Sequence, residues 1–196
     1  QLLDDAKALR LRKAGNVSPL LSIEGGVEAY ADRRGSGKAF DTALASLACC
    51  KRHGLITGVA TSVSASTYAD VVNPAFIDDM VARGAHYIWY YIYRPSGPEP
   101  CFEEALSDEQ VRSLRLFLLE QRKRCAAAVI IDAYWDHEGN ALCPAATGIS
   151  HHVNAQGEVE PCPPVQCSDC RLRPEGGNVD AVARSPLLAA YSPLAL

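Results

Sequence analysis

Pro19-Leu20-Leu21-Ser22-Ile23 reads as a short buried strand that ends at Glu24-Gly25-Gly26, and the alternation of helix and strand beyond it decides the fold. From Lys38 onwards Phe40, Leu44 and Leu47 recur at helical spacing, with Ala43 and Ala48 beside them, until His53-Gly54 ends the pattern. A strand returns from Leu55 to Ser64. Asn73-Pro74 opens a helix with Phe76, Ile77, Met80 and Val81 on one face, Gly84 closes it, and His86 to Tyr93 forms an aromatic and β-branched strand. After a Pro/Gly loop, Ser107 with Gln110 makes a capping box for a helix carrying Val111, Leu114 and Leu118. Ala126 to Ala133 supplies another strand through Val129-Ile130-Ile131. Each strand–helix step is on the order of 30 to 40 residues, the size of a βαβ crossover unit, which implies parallel strands with right-handed connections. The expected class is α/β, either a doubly wound sheet or part of a (β/α) barrel.

Upstream of the first strand, Leu2, Leu3, Ala6 and Leu9 mark one face of a helix that Gly15 and Asn16 stop. The chain starts at Gln1 and reads as beginning inside that helix. With 196 residues, 48% of them hydrophobic, it can build one substantial core plus a small extension. A net charge of −4 leaves no basic field for phosphates, so nucleic acid is not an expected partner. No apolar run approaches the roughly 20 residues that span a bilayer, and no signal peptide opens the chain, so a cytoplasmic protein without membrane contact is expected. No Ser-His-Asp order or His-Glu-x-x-His run suggests a hydrolase.

Four of the eight cysteines fall near the end of the chain. Thirteen residues separate Cys143 from Gly157, four separate Gly157 from Cys162, and Cys167 and Cys170 follow with two between them. Thiolates so close together can converge on one soft metal centre, and reduced thiols with metal fit this chain better than disulfides. Ile149 to Asn154, then Ala155-Gln156-Gly157, then Glu158-Val159-Glu160 read as a hairpin whose turn needs the positive φ of Gly157. That hairpin brings Cys143 and Cys162 together. His151 and His152 lie on opposite faces of its first strand and read as packed or solvent-facing side chains. Cys49 and Cys50, adjacent on a helix, read as ordinary thiols, as do Cys101 and Cys125. From Arg171 to Leu196 a loosely packed tail or short helix without recognisable chemistry is expected.

In either α/β architecture ligands collect at the carboxyl ends of the strands, where Ser22, Glu24, Arg33, Arg34, Thr61, Ser62, Tyr93 and Arg94 fall. The run Ser22-Ile23-Glu24-Gly25-Gly26, then Arg33-Arg34-Gly35-Ser36-Gly37, then Gly58-Val59-Ala60-Thr61-Ser62 resembles the second half of a radical S-adenosylmethionine enzyme. Cys143, Gly157 and Cys162 are similar to the opening of the SPASM or twitch extension, and the resemblance covers roughly residues 1 to 170. It implies the C-terminal half of a partial (β/α) barrel over residues 1–140, followed over 141–196 by a small cysteine-rich hairpin extension. It also implies an auxiliary [4Fe–4S] cluster on Cys143 and Cys162; Cys167 and Cys170 have the knuckle spacing of zinc and iron–sulfur sites and either join them in a four-thiolate metal site or are incidental. By the same resemblance S-adenosylmethionine is bound by Ser22 and Glu24 on one strand and by Thr61 and Ser62 on the next. Arg34 either pairs with the cofactor carboxylate as a bidentate fork or stands as a solvated charge beside Asp32.

The superfamily's three cysteines, spaced three and two residues apart, are not in this sequence. In the family they leave one iron open to S-adenosylmethionine, which accepts an electron into its sulfonium. The expectation is therefore a fragment of a longer oxidoreductase or maturase, served by an electron donor such as flavodoxin or ferredoxin and acting on a substrate that can be a peptide. No residue is assigned as catalytic. The alternative is a non-catalytic α/β domain with a structural zinc knuckle. That accounts for the last four cysteines but not for Ser22, Glu24, Arg34 and Thr61 on successive strand ends. The strand Tyr87-Ile88-Trp89-Tyr90-Tyr91 is expected to pack helices rather than to line a cavity.

Overall fold

The computed structural model describes residues 3–25, 37–95, 99–132, 151–162, 165–173, 175–176 and 178–190. They divide into two compact units, residues 1–132 and 133–196. The expected boundary at 140/141 lies outside the described residues.

The first unit alternates helix and strand. Helix α1 (Asp5–Ala14) is capped by Asp4, whose side chain accepts from the Lys7 N–H, and it stops at Gly15 with φ 82°. The helix thus starts at Asp5 rather than running in from Gln1, because the Asp4 carboxylate satisfies a first-turn donor. Strand β1 (Leu20–Ser22), helix α2 (Gly37–Arg52) and strand β2 (Gly58–Val63) come after it. Next are a short helix α3 (Tyr68–Val71), helix α4 (Pro74–Arg83) and strand β3 (Tyr87–Ile92). Asn73 caps α4 through Ala75 N–H, with Pro74 at its first position. A 3₁₀ turn (Phe102–Glu104) leads to α5 (Asp108–Arg124), where the Ser107–Gln110 capping box forms, and strand β4 (Val129–Ile131) completes the sheet.

All four strands are parallel and lie in the order β1-β2-β3-β4. Strand order never reverses, so the sheet is singly wound as in a (β/α) barrel segment, and the doubly wound alternative drops out. Register explains the burial. Leu21, Val59, Ile88 and Ile130 form one row, and all are buried on the helix-covered face. The next row with the same facing holds Ile23, Thr61 and Tyr90. Tyr90 packs edge-on against Phe117 and donates its hydroxyl to Val71 O at 2.9 Å, and burial pushes its pKa up. The alternate row, Ser22, Ala60, Trp89 and Ile131, faces the other way and is only half-buried.

In the second unit, β5 (His152–Val153) and β6 (Glu158–Glu160) form the expected antiparallel hairpin, with Gly157 at φ 80°. Asn154 organises its turn, its carbonyl oxygen Oδ1 accepting from Gln156 and Glu158 N–H groups at 3.0 Å each. A third strand, β7 (Cys170–Arg171), pairs antiparallel with β6. Two short helices complete the unit, α6 (Asn178–Ala183) and α7 (Pro186–Ala190). The second is not loose. Asp169 accepts from the Ser185 hydroxyl and, at 2.9 Å, from Leu187 N–H, and Leu188 is buried.

Candidate functional site

The open face of the sheet gathers the polar strand-end residues. Ser22 and Ala60 are register partners, Ala60 neighbours Trp89, and Ser62 neighbours Tyr91. Register therefore puts Ser22, Ser62, Trp89 and Tyr91 on one surface, and Glu24, half-buried, lies two residues past the end of β1. Trp89 and Tyr91 stack on it with ring centroids 5.3 Å apart and planes 12° from parallel. The indole Nε1–H of Trp89 is buried without an acceptor among the described residues. The aromatic strand therefore splits by alternation, with Ile88 and Tyr90 packing helices as expected while Trp89 and Tyr91 form a platform on the other side.

Thr61 falls elsewhere. It is fully buried on the helix-covered face, and its Oγ1 also finds no partner among the described residues. A one-residue step along a strand reverses the facing, which is why Thr61 and Ser62 part company. Tyr93 extends the ladder through its N–H to Val63 O at 2.8 Å. Arg33 and Arg34 lie outside the described residues. Gly58 at the amino end has a structural reason of its own. A Cβ there would stand 2.1 Å from the Tyr87 ring, and the Tyr87 hydroxyl meets Ser18 Oγ at 3.0 Å.

In the extension Cys162 and Cys170 fall at the same end of the small sheet, and Cys167 lies three residues before β7. Cys170 on β7 sits opposite Val159, and Cys162 lies two residues past the end of β6 and forms an isolated bridge with Val165. Cys162 and Cys170 are partly covered and Cys167 is exposed, while Cys143 lies outside the described residues. The three sulfurs do not close to within 4.8 Å of one another. Burial, and then the charge of Asp169, raise the Cys170 pKa. As donors the thiols suit iron or zinc. His152 is engaged elsewhere, its Nδ1 2.8 Å from Glu160 Oε2, and this contact together with Asn154 lowers the Glu160 pKa. His151 Nδ1 is buried without a partner among the described residues. A groove of about 910 Å³ runs past Cys170, lined also by Gln156, Arg171, Arg173 and Ala181.

Solved structures decide whose fold this is. SuiB from Streptococcus suis bound to S-adenosylmethionine superposes with a TM-score of 0.69 over 97% of this chain and 48% of its own, at 12% identity. Native anSMEcpe with bound AdoMet gives 0.67 over 98% of this chain and 56% of its own, at 15% identity. The chain has the fold of radical S-adenosylmethionine enzymes. A third structure, SuiB bound to its precursor peptide SuiA, matches at a TM-score of 0.65 and 11% identity. The chain spans about half the length of these radical S-adenosylmethionine proteins. No protein-family model and no curated protein matches it.

The side-chain cluster that the sequence pattern does not join is Asp5, Cys49 and His53, whose ligand atoms lie within 4.8 Å of one another. Asp5 is far from the others in sequence, so only the i, i+4 spacing of Cys49 and His53 hints at it.

Proposed function

We propose that this chain supplies the cofactor-facing sheet and the auxiliary-cluster extension of a radical S-adenosylmethionine maturase that acts on a peptide. One observation carries the reading. Ser22 and Ser62, singled out on neighbouring strands, both fall on the open face of a sheet whose fold is shared with S-adenosylmethionine-bound SuiB, and Glu24 follows Ser22 along the chain. The two hydroxyls, with the Glu24 carboxylate next along the chain, would hold the amino and ribose groups of the cofactor, beside the Trp89–Tyr91 platform. Thr61 is left out of this set, since its burial under the helices keeps it from a ligand on the open face. Cys143, Cys162, Cys167 and Cys170 would hold an auxiliary iron–sulfur cluster, which supplies electron transfer or substrate anchoring when bound. The peptide substrate is argued from SuiB, solved with its precursor peptide SuiA. A reducing compartment such as the cytoplasm suits the free thiols, and a flavodoxin or ferredoxin would deliver electrons.

Equilibrium dialysis of the chain against radiolabelled S-adenosylmethionine tests the cofactor face. Ser22→Ala with Ser62→Ala weakens retention about tenfold, the loss of two hydrogen bonds, while Thr61→Val leaves it unchanged. Equal retention in all three proteins, or none in the wild type, removes the assignment.

A further inference from the structure

Away from the open face and the extension, α1 and the end of α2 bring together three side chains of metal-ligand type. Asp5 Oδ1 stands 2.8 Å from His53 Nε2 and 3.5 Å from Cys49 Sγ. Cys49 and His53 are one helical turn apart, and the His53 N–H still bonds Cys49 O at 3.2 Å, so both project from the same helical face. Beneath them Cys50, Ala8 and Leu55 form a packed cluster with Leu3 and Leu11 against it, which holds the two helices in register. We propose that Asp5, Cys49 and His53 form a binding site for a divalent zinc-class cation, independent of the iron–sulfur reading.

Distances decide between this and a plain hydrogen-bond cluster. In a tetrahedral zinc site the usual bond lengths imply ligand–ligand edges of about 3.3 Å for nitrogen to oxygen and about 3.5 Å for sulfur to oxygen. The Cys49–Asp5 separation of 3.5 Å already has that value. The His53–Asp5 separation of 2.8 Å needs to open by about half an ångström, which rotation of the exposed Asp5 carboxylate supplies. On binding, the Cys49 thiol gives its proton to solvent, and thiolate plus carboxylate neutralise the two charges of the cation, with neutral His53 as third ligand and water as fourth. Arg52, 3.1 Å from Asp5 Oδ1, competes for the same oxygen. Its side chain is 59% exposed and free to swing into solvent. Cys49 is nearly covered and the His53 side chain is only 24% exposed, so the site opens to solvent on the Asp5 side.

Cobalt serves as the probe, because a cobalt–thiolate bond gives a charge-transfer band that zinc lacks. The full chain carrying Cys143→Ser, Cys162→Ser, Cys167→Ser and Cys170→Ser is titrated anaerobically with Co²⁺, alone and with Asp5→Ala, Cys49→Ser or His53→Gln added. About one Co²⁺ per chain with the intensity of a single thiolate ligand is expected, lost entirely with Cys49→Ser and weakened at least about tenfold with Asp5→Ala or His53→Gln. Zn²⁺ also raises the thermal midpoint of the wild type more than that of Asp5→Ala, each measured against its own metal-free protein. No charge-transfer band, or a band indifferent to Asp5→Ala, overturns the site.

Discussion

Thr61 spends a hydroxyl where no partner meets it. Its Oγ1 is buried among the helix-facing side chains of β2, between the Val59 and Val63 positions, with no hydrogen bond among the described residues. Burying an unmade hydrogen bond costs on the order of 1–3 kcal/mol, so Thr61→Val, of nearly the same shape, is expected to stabilise the protein by about 1 kcal/mol. A higher midpoint in urea with an unchanged slope is the readout, and a lower midpoint would reveal a partner for the hydroxyl. Asp5 gives a second residue-scale expectation. Hydrogen bonds from His53 and then Arg52 hold its carboxyl at about 2, below the ordinary 3.8. A carboxylate with a depressed native pKa contributes stability that is complete above its ordinary value and is lost as the pH falls towards its native one. Melting of the chelator-treated protein should therefore lose more between about pH 4 and pH 2 than melting of Asp5→Asn, in which that slope is flatter. Identical profiles would mean that the Asp5 contacts do not persist in solution.

At the scale of elements, the hairpin that carries the cysteines depends on one left-handed residue. Gly157 sits at φ 80°, and Leu172 N–H bonds its carbonyl at 2.7 Å, so the turn also holds the chain where β7 ends. Gly157→Ala forces a side chain into the left-handed region at a cost of about 1–2 kcal/mol and should loosen β7 together with Cys170. Hydrogen exchange of the Cys170 and Leu172 amides checks this, and unchanged protection would show that the sheet tolerates the strain. Such glycines and caps are the part of the fold that is plain in the sequence. Gly84, Asn73-Pro74, the Ser107–Gln110 box and Gly157 all act within a few residues of themselves. So do the apolar periods of β1 to β4 and their helices, whose spacing sets the crossover length. Contacts between distant residues are not legible there. The tail is anchored by Asp169 to Ser185 and Leu187, and β7 is a strand of two residues that only β6 makes regular. Facing is legible in principle but ambiguous in practice. Neighbouring Thr61 and Ser62 both look like strand-end ligands until the register shows which one lies under the helices.

At the scale of the whole molecule, four parallel strands in sequential order leave one face covered by helices and the other bearing Ser22, Ser62, Trp89 and Tyr91. That one-sided construction is what a segment of a (β/α) barrel requires, since the inner face of such a barrel is built from several strands at once. It also explains why the polar residues are spread over distant parts of the chain yet share a surface. Among the described residues no helix is long and apolar enough to cross a membrane. The extension adds what a barrel segment alone does not have, Cys162 and Cys170 at one end of a small sheet with Cys167 close by in sequence. The radical S-adenosylmethionine reading and the zinc-knuckle reading differ on what those thiols hold. Anaerobic purification, reconstitution with iron and sulfide, and a count of iron and labile sulfide beside the visible spectrum, in wild type and in Cys143→Ala/Cys162→Ala, separate them. About four irons per chain in brown protein, lost in the double variant, is the predicted result. Colourless protein holding zinc that leaves with the same two substitutions would contradict it.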